Sequence, residues 1–307
     1  MVSKIIIGTR GSALALWQAN WVKGLLRLQY LKLSMEIKTI KTQGDRILDT
    51  ALGKISDKGL FTKELEIALL NKEIDLAVHS MKDLPATLPD GLIIGAITER
   101  HDPADVVISK DGIRLLDLPQ GAVVGTSSLR RCAQLLNMRP DFIIKDIRGN
   151  LNTRIRKFAE QDYQAMVLAA AGIERLGWGD KITERLNPEE FLPAVGQGAL
   201  GIEIRQKNKE ILDLVAGLNH SNTDSAVRAE RAMLRILGGG CQIPIGALGR
   251  VVDDKLVLRG LIGSLDGTKI LRARDSGNPD FPEVLGQMLA ERLIGQGGGE
   301  ILKQIRN

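Results

Sequence analysis

The chain has 307 residues, 44% hydrophobic and 26% charged, with 42 Lys and Arg against 37 Asp and Glu for a formal charge of +5. Its length admits two or three domains, its composition is ordinary for a soluble globular protein, and the positive balance suggests an anionic partner. Two cysteines, Cys132 and Cys241, make neither a disulfide framework nor a metal-ligand spacing. The opening Met1-Val2-Ser3-Lys4-Ile5 lacks the apolar stretch of a signal peptide, and no run nears the roughly 18 apolar residues of a membrane helix. A reducing cytoplasm is the expected compartment.

Lys4 to Gly8 reads as a short buried strand, Thr9-Arg10-Gly11-Ser12 as a polar turn, and Ala13 to Val22 as a helix. Met35 to Ile40 alternates like a strand. Thr42 to Lys58, with its glycines and charges, reads as a long mobile loop, and loops of that length are usually functional or disordered. Phe61 to Leu70 is helical. Ile74 to Ser80 and Gly91 to Ile97 are strands, with Met81-Lys82-Asp83-Leu84-Pro85 turning between them.

The pattern restarts near Asp102. Asp105 to Ile108, Ala122 to Gly125, Phe142 to Ile147 and Ala165 to Ala170 read as strands. Helices open at Thr126-Ser127-Ser128-Leu129-Arg130-Arg131 and at Asn152-Thr153-Arg154. Strands alternating with helices give βαβ units and mainly parallel sheets. Beyond Asn219 the pattern changes to a helix over 224–236, three alternating strands (247–252, 256–262 and 268–274) and a final helix over 282–294. That predicts a small α+β domain with an antiparallel sheet.

Arginines mark three strand-to-helix junctions: Arg10, Arg130 with Arg131, and Arg148 with Arg154. Ligands of open α/β sheets bind at the carboxyl ends of strands, and helix N-termini there suit anions. Arginine's planar fork matches carboxylates. The pattern therefore predicts a polyanion site, although one arginine at a helix start is usually just solvated. Asp83 reads equally as a turn residue and as an acid/base group or cation stabiliser. His79, His101 and His220 share no motif, and His79 fits a satisfied core histidine. Residues 196–201 match G-x-G-x-x-G, but Ile202 to Arg205 alternates where a dinucleotide site needs a helix. Nucleic-acid binding is disfavoured because the basic residues stand singly and aromatics are few. Cys241 follows Gly238-Gly239-Gly240 and precedes Pro244. Local residues leave it either a packed small hydrophobe or an exposed nucleophile or attachment point.

Six segments taken together resemble the porphobilinogen deaminase family: 8–12, 79–85 (His-Ser-Met-Lys-Asp-Leu-Pro), 125–131, 148–151, 197–201 and 239–242 (Gly-Gly-Cys-Gln). The resemblance runs the whole length. Gly238 is an extra glycine, expected to loosen the loop. The family implies two lobes of periplasmic-binding-protein type with mixed, mainly parallel sheets, plus a small C-terminal domain with a three-stranded antiparallel sheet. It implies domain 1 at 1–98 with 196–217, domain 2 at 99–195 and domain 3 at 218–307. The implied activity is the head-to-tail joining of four porphobilinogen units, with release of four ammonia, to give hydroxymethylbilane.

The resemblance further implies a dipyrromethane cofactor held by thioether to Cys241. Lys82, Asp83, Thr126, Ser127, Ser128, Arg130, Arg131, Arg148 and Gly149 would bind it. Arg10, Ser12, Gln18, Arg148, Arg154, Arg175 and Gln197 would bind substrate, whose rings each carry an acetate and a propionate. Asp83 would be catalytic, stabilising the positive azafulvene. Lys54, Lys58 and Phe61 would belong to a lid over 42–60. No metal, nucleic acid, membrane or obligatory protein partner is expected, and a monomer is. The competing expectation is a two-lobed binding protein for a small polycarboxylate.

Overall fold

The computed structural model describes residues 3–46, 59–240 and 243–306. In chain order the elements are β1 (Lys4–Thr9), α1 (Ala13–Gln29), β2 (Ser34–Thr39), α2 (Gln43–Arg46), α3 (Lys63–Leu70), β3 (Leu76–Ser80) and β4 (Leu92–Ile97). Then come β5 (Asp105–Ser109), β6 (Val123–Gly125), α4 (Leu129–Met138), β7 (Ile143–Lys145), α5 (Leu151–Glu160), β8 (Ala165–Ala169), α6 (Ala170–Arg175) and β9 (Glu184–Arg185). The chain ends with β10 (Leu200–Arg205), α7 (Lys209–Ala216), α8 (Ser221–Ile236), β11 (Ile245–Val252), β12 (Lys255–Gly263), β13 (Ile270–Gly277), α9 (Pro282–Leu293) and α10 (Gly299–Arg306).

The chain divides into two compact units, Met1–His101 with Ala199–Asp224, and Asp102–Gly198 with Ser225–Asn307. The first unit holds a five-stranded sheet in the order β2-β1-β3-β10-β4. β1 pairs in parallel with β2 and β3, while β10 lies antiparallel to both β3 and β4. Four strands therefore share one direction and β10 opposes them. Ile5 and Ile7 of β1, Leu76 and Val78 of β3, and Leu200, Ile202 and Ile204 of β10 form its core with Ala19, Val22 and Leu26 of α1.

The second unit repeats the design with the order β7-β6-β8-β5-β9. β6 is parallel to β7 and β8, and β5 is the reversed strand. Two cores flank this sheet, one around Val107, Val124 and Leu135, the other around Val106, Met166 and Tyr163. The same unit carries the antiparallel sheet β11-β12-β13. Its core takes Ala229 and Met233 from α8, Leu256 and Leu258 from β12, and Leu285, Leu289 and Leu293 from α9. Two mixed sheets and a small antiparallel one are the expected fold class.

Several boundaries differ from the sequence reading. α8 starts at Ser221, earlier than residue 224, and α3 starts at Lys63 after a turn. α7 was not foreseen, although Asn208 caps it by accepting from the Ile211 N–H at 3.3 Å. The final helix was expected to stop near 294, but a π-helical stretch, Ile294–Gly298, carries the chain into α10. Part of the expected loop after Thr42 is the helical turn α2, and residues 47–58 lie outside the described residues.

Gly238, expected to loosen the loop, precedes residues 241 and 242, which lie outside the described residues. It takes φ +57 just past α8, a left-handed conformation that suits glycine at a helix stop. The Gly238 and Gly239 N–H groups donate back to the carbonyls of Arg235 and Leu234, and Arg306 donates to the Leu237 carbonyl at 2.6 Å. α8 also meets α9 closely. A Cβ on Gly286 would stand 2.2 Å from the Ala229 carbonyl oxygen. That neighbour is backbone and cannot rotate away, so Gly286→Ala should cost about 1–3 kcal/mol by overpacking. Thermal unfolding should show a melting midpoint lower by at least about 2 °C. An unchanged midpoint would contradict this packing.

Candidate active site

In the first unit the candidate residues gather where β1 and β3 end. Ser12 caps α1, its hydroxyl accepting from the Ala15 N–H at 3.3 Å. Arg10 is held from two sides. Its Nε donates to Asp45 Oδ2 at 3.3 Å, and its guanidinium carbon lies 4.3 Å from the centre of the Phe61 ring. Burial acts to raise the Asp45 carboxyl, but the bonds from Arg10 and Thr42 outweigh it and hold the group below the usual aspartate range. The buried Gln18 side chain donates to Ser80 Oγ at 2.9 Å. Phe61, expected in a lid, thus stacks on Arg10 in this structure.

β3 ends in a single 3-10 turn, Met81–Asp83. The Met81 N–H donates to the Ala199 carbonyl at 3.0 Å, just ahead of the reversed strand β10. Met81 is buried and anchors the turn, while Asp83 is exposed. No described residue bonds or pairs with the Asp83 carboxylate, unlike the acids that hold the arginines. On the same strand His79 is buried, its Nε2 3.0 Å from the carboxylate of the fully buried Glu203. His79 is thus the core histidine the sequence suggested, but its Nε2 is not hydrogen-bonded among the described residues.

In the second unit the candidates lie past the ends of β6, β7 and β8. The Thr126 N–H donates to the Lys145 carbonyl at 3.0 Å, and its hydroxyl accepts from the Ser128 N–H at 3.2 Å. Ser127 Oγ accepts from the Ile147 N–H at 3.1 Å and faces the Ile147 carbonyl at 3.2 Å. Ser128 caps α4. Gly149, at φ +115, opens α5 with Asn150 as its cap. Arg148 donates to Asp146 at 2.9 Å, and Arg154 Nε to the Gly149 carbonyl at 2.8 Å.

Arg130 and Arg131 differ most from expectation. They are buried, and both donate to Asp105, at 2.7 and 2.6 Å. Gln197, expected on substrate, donates to the same Asp105 at 2.9 Å and to the Pro103 carbonyl at 2.8 Å. Burial alone would push the Asp105 carboxyl up, but the charges of Arg130 and Arg131 prevail and hold it well below the usual range. Arg175 is also buried and donates to the Gly198 carbonyl at 2.8 Å. Burial pushes its guanidinium down to about 10, so it remains charged at neutral pH.

Sequence reasoning missed Asp105 and Asp45. The available signal was an aspartate opening the apolar run Asp105-Val106-Val107-Ile108, since a buried carboxylate requires partners. Cys241, Lys54 and Lys58 lie outside the described residues. Among the described residues no cluster of acids, histidines or cysteines could hold a metal, and no helix is long and apolar enough to cross a membrane.

A family model described as "Porphobilinogen deaminase, dipyromethane cofactor binding domain" matches residues 5–213, and one described as "Porphobilinogen deaminase, C-terminal domain" matches 225–295. This chain belongs to the porphobilinogen deaminase family. The porphobilinogen deaminase of Desulforamulus reducens is 53% identical over 306 residues, covering 100% of this chain and 99% of that one. That of Desulforudis audaxviator is 56% identical with the same coverage. Among solved structures, the methionine binding protein MetQ overlaps 70% of this chain and 89% of its own, at 14% identity and a TM-score of 0.46.

Dipyrromethane, the cofactor of porphobilinogen deaminases, carries several carboxylates. The donors at the second unit's sheet edge suit such a group: hydroxyls of Thr126, Ser127 and Ser128, and the cations Arg130, Arg131 and Arg148. Arg131 Nε is buried and has no acceptor among the described residues. Among the described residues the free cysteine is Cys132, in α4 and half-buried. Burial, and then the charge of Asp146, push its thiol up. Since the thiolate is the reactive form, Cys132 should alkylate more slowly at pH 7 than an exposed free thiol. Peptide-resolved mass spectrometry with iodoacetamide measures this, and reaction at the free-thiol rate would contradict the packing role.

Proposed function

We propose that the chain catalyses the stepwise joining of four porphobilinogen molecules, releasing four ammonia and yielding hydroxymethylbilane, on a dipyrromethane primer bound to Cys241. The observation that carries this reading is the match of both family domains across residues 5–213 and 225–295, backed by full-length relatives. The competing reading, a binding protein for a polycarboxylate, leaves the match of the C-terminal domain without a reason. Residues 1–98 with 196–217, 99–195 and 218–307 are its three domains, a division supported by the three separate sheets. Porphobilinogen is the one partner the reaction requires, and it works in the cytoplasm as a monomer.

Bound dipyrromethane supplies a pyrrole chain end to which substrate is joined. The protein's own part is binding, orientation and charge. Arg10, Arg148, Arg154 and Arg175 attract the acetate and propionate groups of pyrrole rings. Ser12 and Gln18, already bonded within the fold, orient the substrate side of α1. Lys82 adds positive charge beside Asp83. Loss of ammonia leaves a cation spread over the substrate's pyrrole ring and its methylene carbon. An exposed carboxylate touching the ring nitrogen is favoured as that charge develops, which is differential binding of the transition state. Asp83 stands on a fixed turn with its carboxylate unspent, which supports that role. It also accepts the proton released when the ring regains aromaticity.

Asp83→Asn keeps the size and removes the charge, whereas Asp83→Glu keeps the charge and moves it by one methylene, enough to disturb catalytic geometry. Single-turnover ammonia release should fall at least about 100-fold in Asp83→Asn, the scale typical of general acid–base catalysis. Asp83→Glu should retain slight turnover, with both variants melting like the wild type. Wild-type ammonia release from Asp83→Asn would reduce Asp83 to a turn residue.

A further inference from the structure

We infer that Asp105 is the positioning residue for the arginine pair of the second unit, holding Arg130 and Arg131 ready for one ligand carboxylate. The inference rests on the proposed reading that the ligand carries carboxylates. It begins with topology. β5 is the reversed strand of its sheet, and Asp105, its first residue, lies opposite Ala169, the last residue of β8. A strand running the other way would bring its last residue to this edge. The reversal therefore places an aspartate where β6 ends and α4 begins.

The carboxylate there is completely buried, so it is tolerable only when paired and hydrogen-bonded. It has three partners. Oδ2 accepts from Arg130 at 2.7 Å, and Oδ1 accepts from Arg131 at 2.6 Å and from Gln197 at 2.9 Å. Each arginine has a second tether, Arg130 to the Leu192 carbonyl at 2.6 Å and Arg131 to the Val167 carbonyl at 3.0 Å. The guanidinium groups are thereby fixed by acceptors of the fold itself, before any ligand arrives.

The charges add to a use. Two cations against one anion leave a single positive charge, matched by one carboxylate. Two arginines without Asp105 would repel each other in a medium where charges are weakly screened. One arginine with Asp105 would be neutral and indifferent to anions. Arg131 Nε, buried without an acceptor among the described residues, is a donor still to be satisfied. Gln197 serves this arrangement as a third donor to Asp105.

Asp105→Asn tests this, because the amide keeps the shape and removes the charge. In spectra of protein with 15N-labelled arginine, two guanidinium groups of the wild type should rotate and exchange slowly. In Asp105→Asn both should become mobile. The porphobilinogen concentration giving half-maximal ammonia release should rise at least fivefold, while the plateau rate changes less than threefold. Slow guanidinium signals with unchanged half-saturation in Asp105→Asn would overturn the inference. So would equal losses in plateau rate and half-saturation, the signature of a merely structural acid. Should Asp105→Asn not fold, Asp105→Glu decides: a threefold or greater rise in half-saturation supports positioning, and no rise overturns it. A wild type that releases no ammonia would sink the functional reading, and the guanidinium spectra, which need no substrate, would still decide the role of Asp105.

Discussion

Two guanidinium groups and one amide converge on a single buried carboxylate, and the second unit is arranged around that meeting. Asp105 is the first residue of β5, Arg130 and Arg131 lie in the first turn of α4, and Gln197 sits far along the chain. Three segments of sequence are tied at one point. Removing one partner of such a buried pair typically costs about 3–5 kcal/mol, because the rest is left charged and dry. The same pairing offsets the cost of keeping two cations at a helix N-terminus, where the dipole disfavours them. A fold that must present positive charge at that edge needs an internal counter-charge.

Both five-stranded sheets have one reversed strand that reaches the candidate edge. In the second unit the reversed strand delivers Asp105. In the first, the residue ahead of β10 gives its carbonyl to Met81, and Leu200 lies opposite Ser80. The turn that exposes Asp83 is thus pinned by chain arriving from more than a hundred residues away. The two edges differ in chemistry. One fixes buried arginines against an acid, and the other leaves an acid exposed and unbonded. Cation placement and cation stabilisation are each set by which side chains the backbone leaves free.

Much of this was legible in the sequence. Apolar runs gave the strands because buried strands are continuous in Val, Ile and Leu. The strand after Gly198 ruled out a dinucleotide loop, and β10 bears that out. Strand direction was hidden, since β5 and β10 look like their parallel neighbours and only tertiary pairing reverses them. The partners of the arginines were hidden for a related reason. Arg10 pairs with Asp45, and Arg130 with Asp105, separations that no local pattern records. α10 was missed because a glycine cluster reads as a stop, whereas Gly297 at φ +103 sits inside a π-helical bridge. The site motifs were easier to find than their geometry. Hydroxyls expected to face ligand also cap helices and tie loops, as Ser12, Ser127 and Ser128 do.

The proposed anchor of the two-ring primer, from which the tetrapyrrole chain is built, is Cys241. Intact-mass spectrometry of the denatured protein, after exposure to porphobilinogen, tests it most directly. The expected result is a covalent gain of two pyrrole units, mapped to the peptide of Cys241, absent from Cys241→Ser and undiminished in Cys132→Ala. A wild-type protein with no such gain, or with the adduct on Cys132, would contradict it.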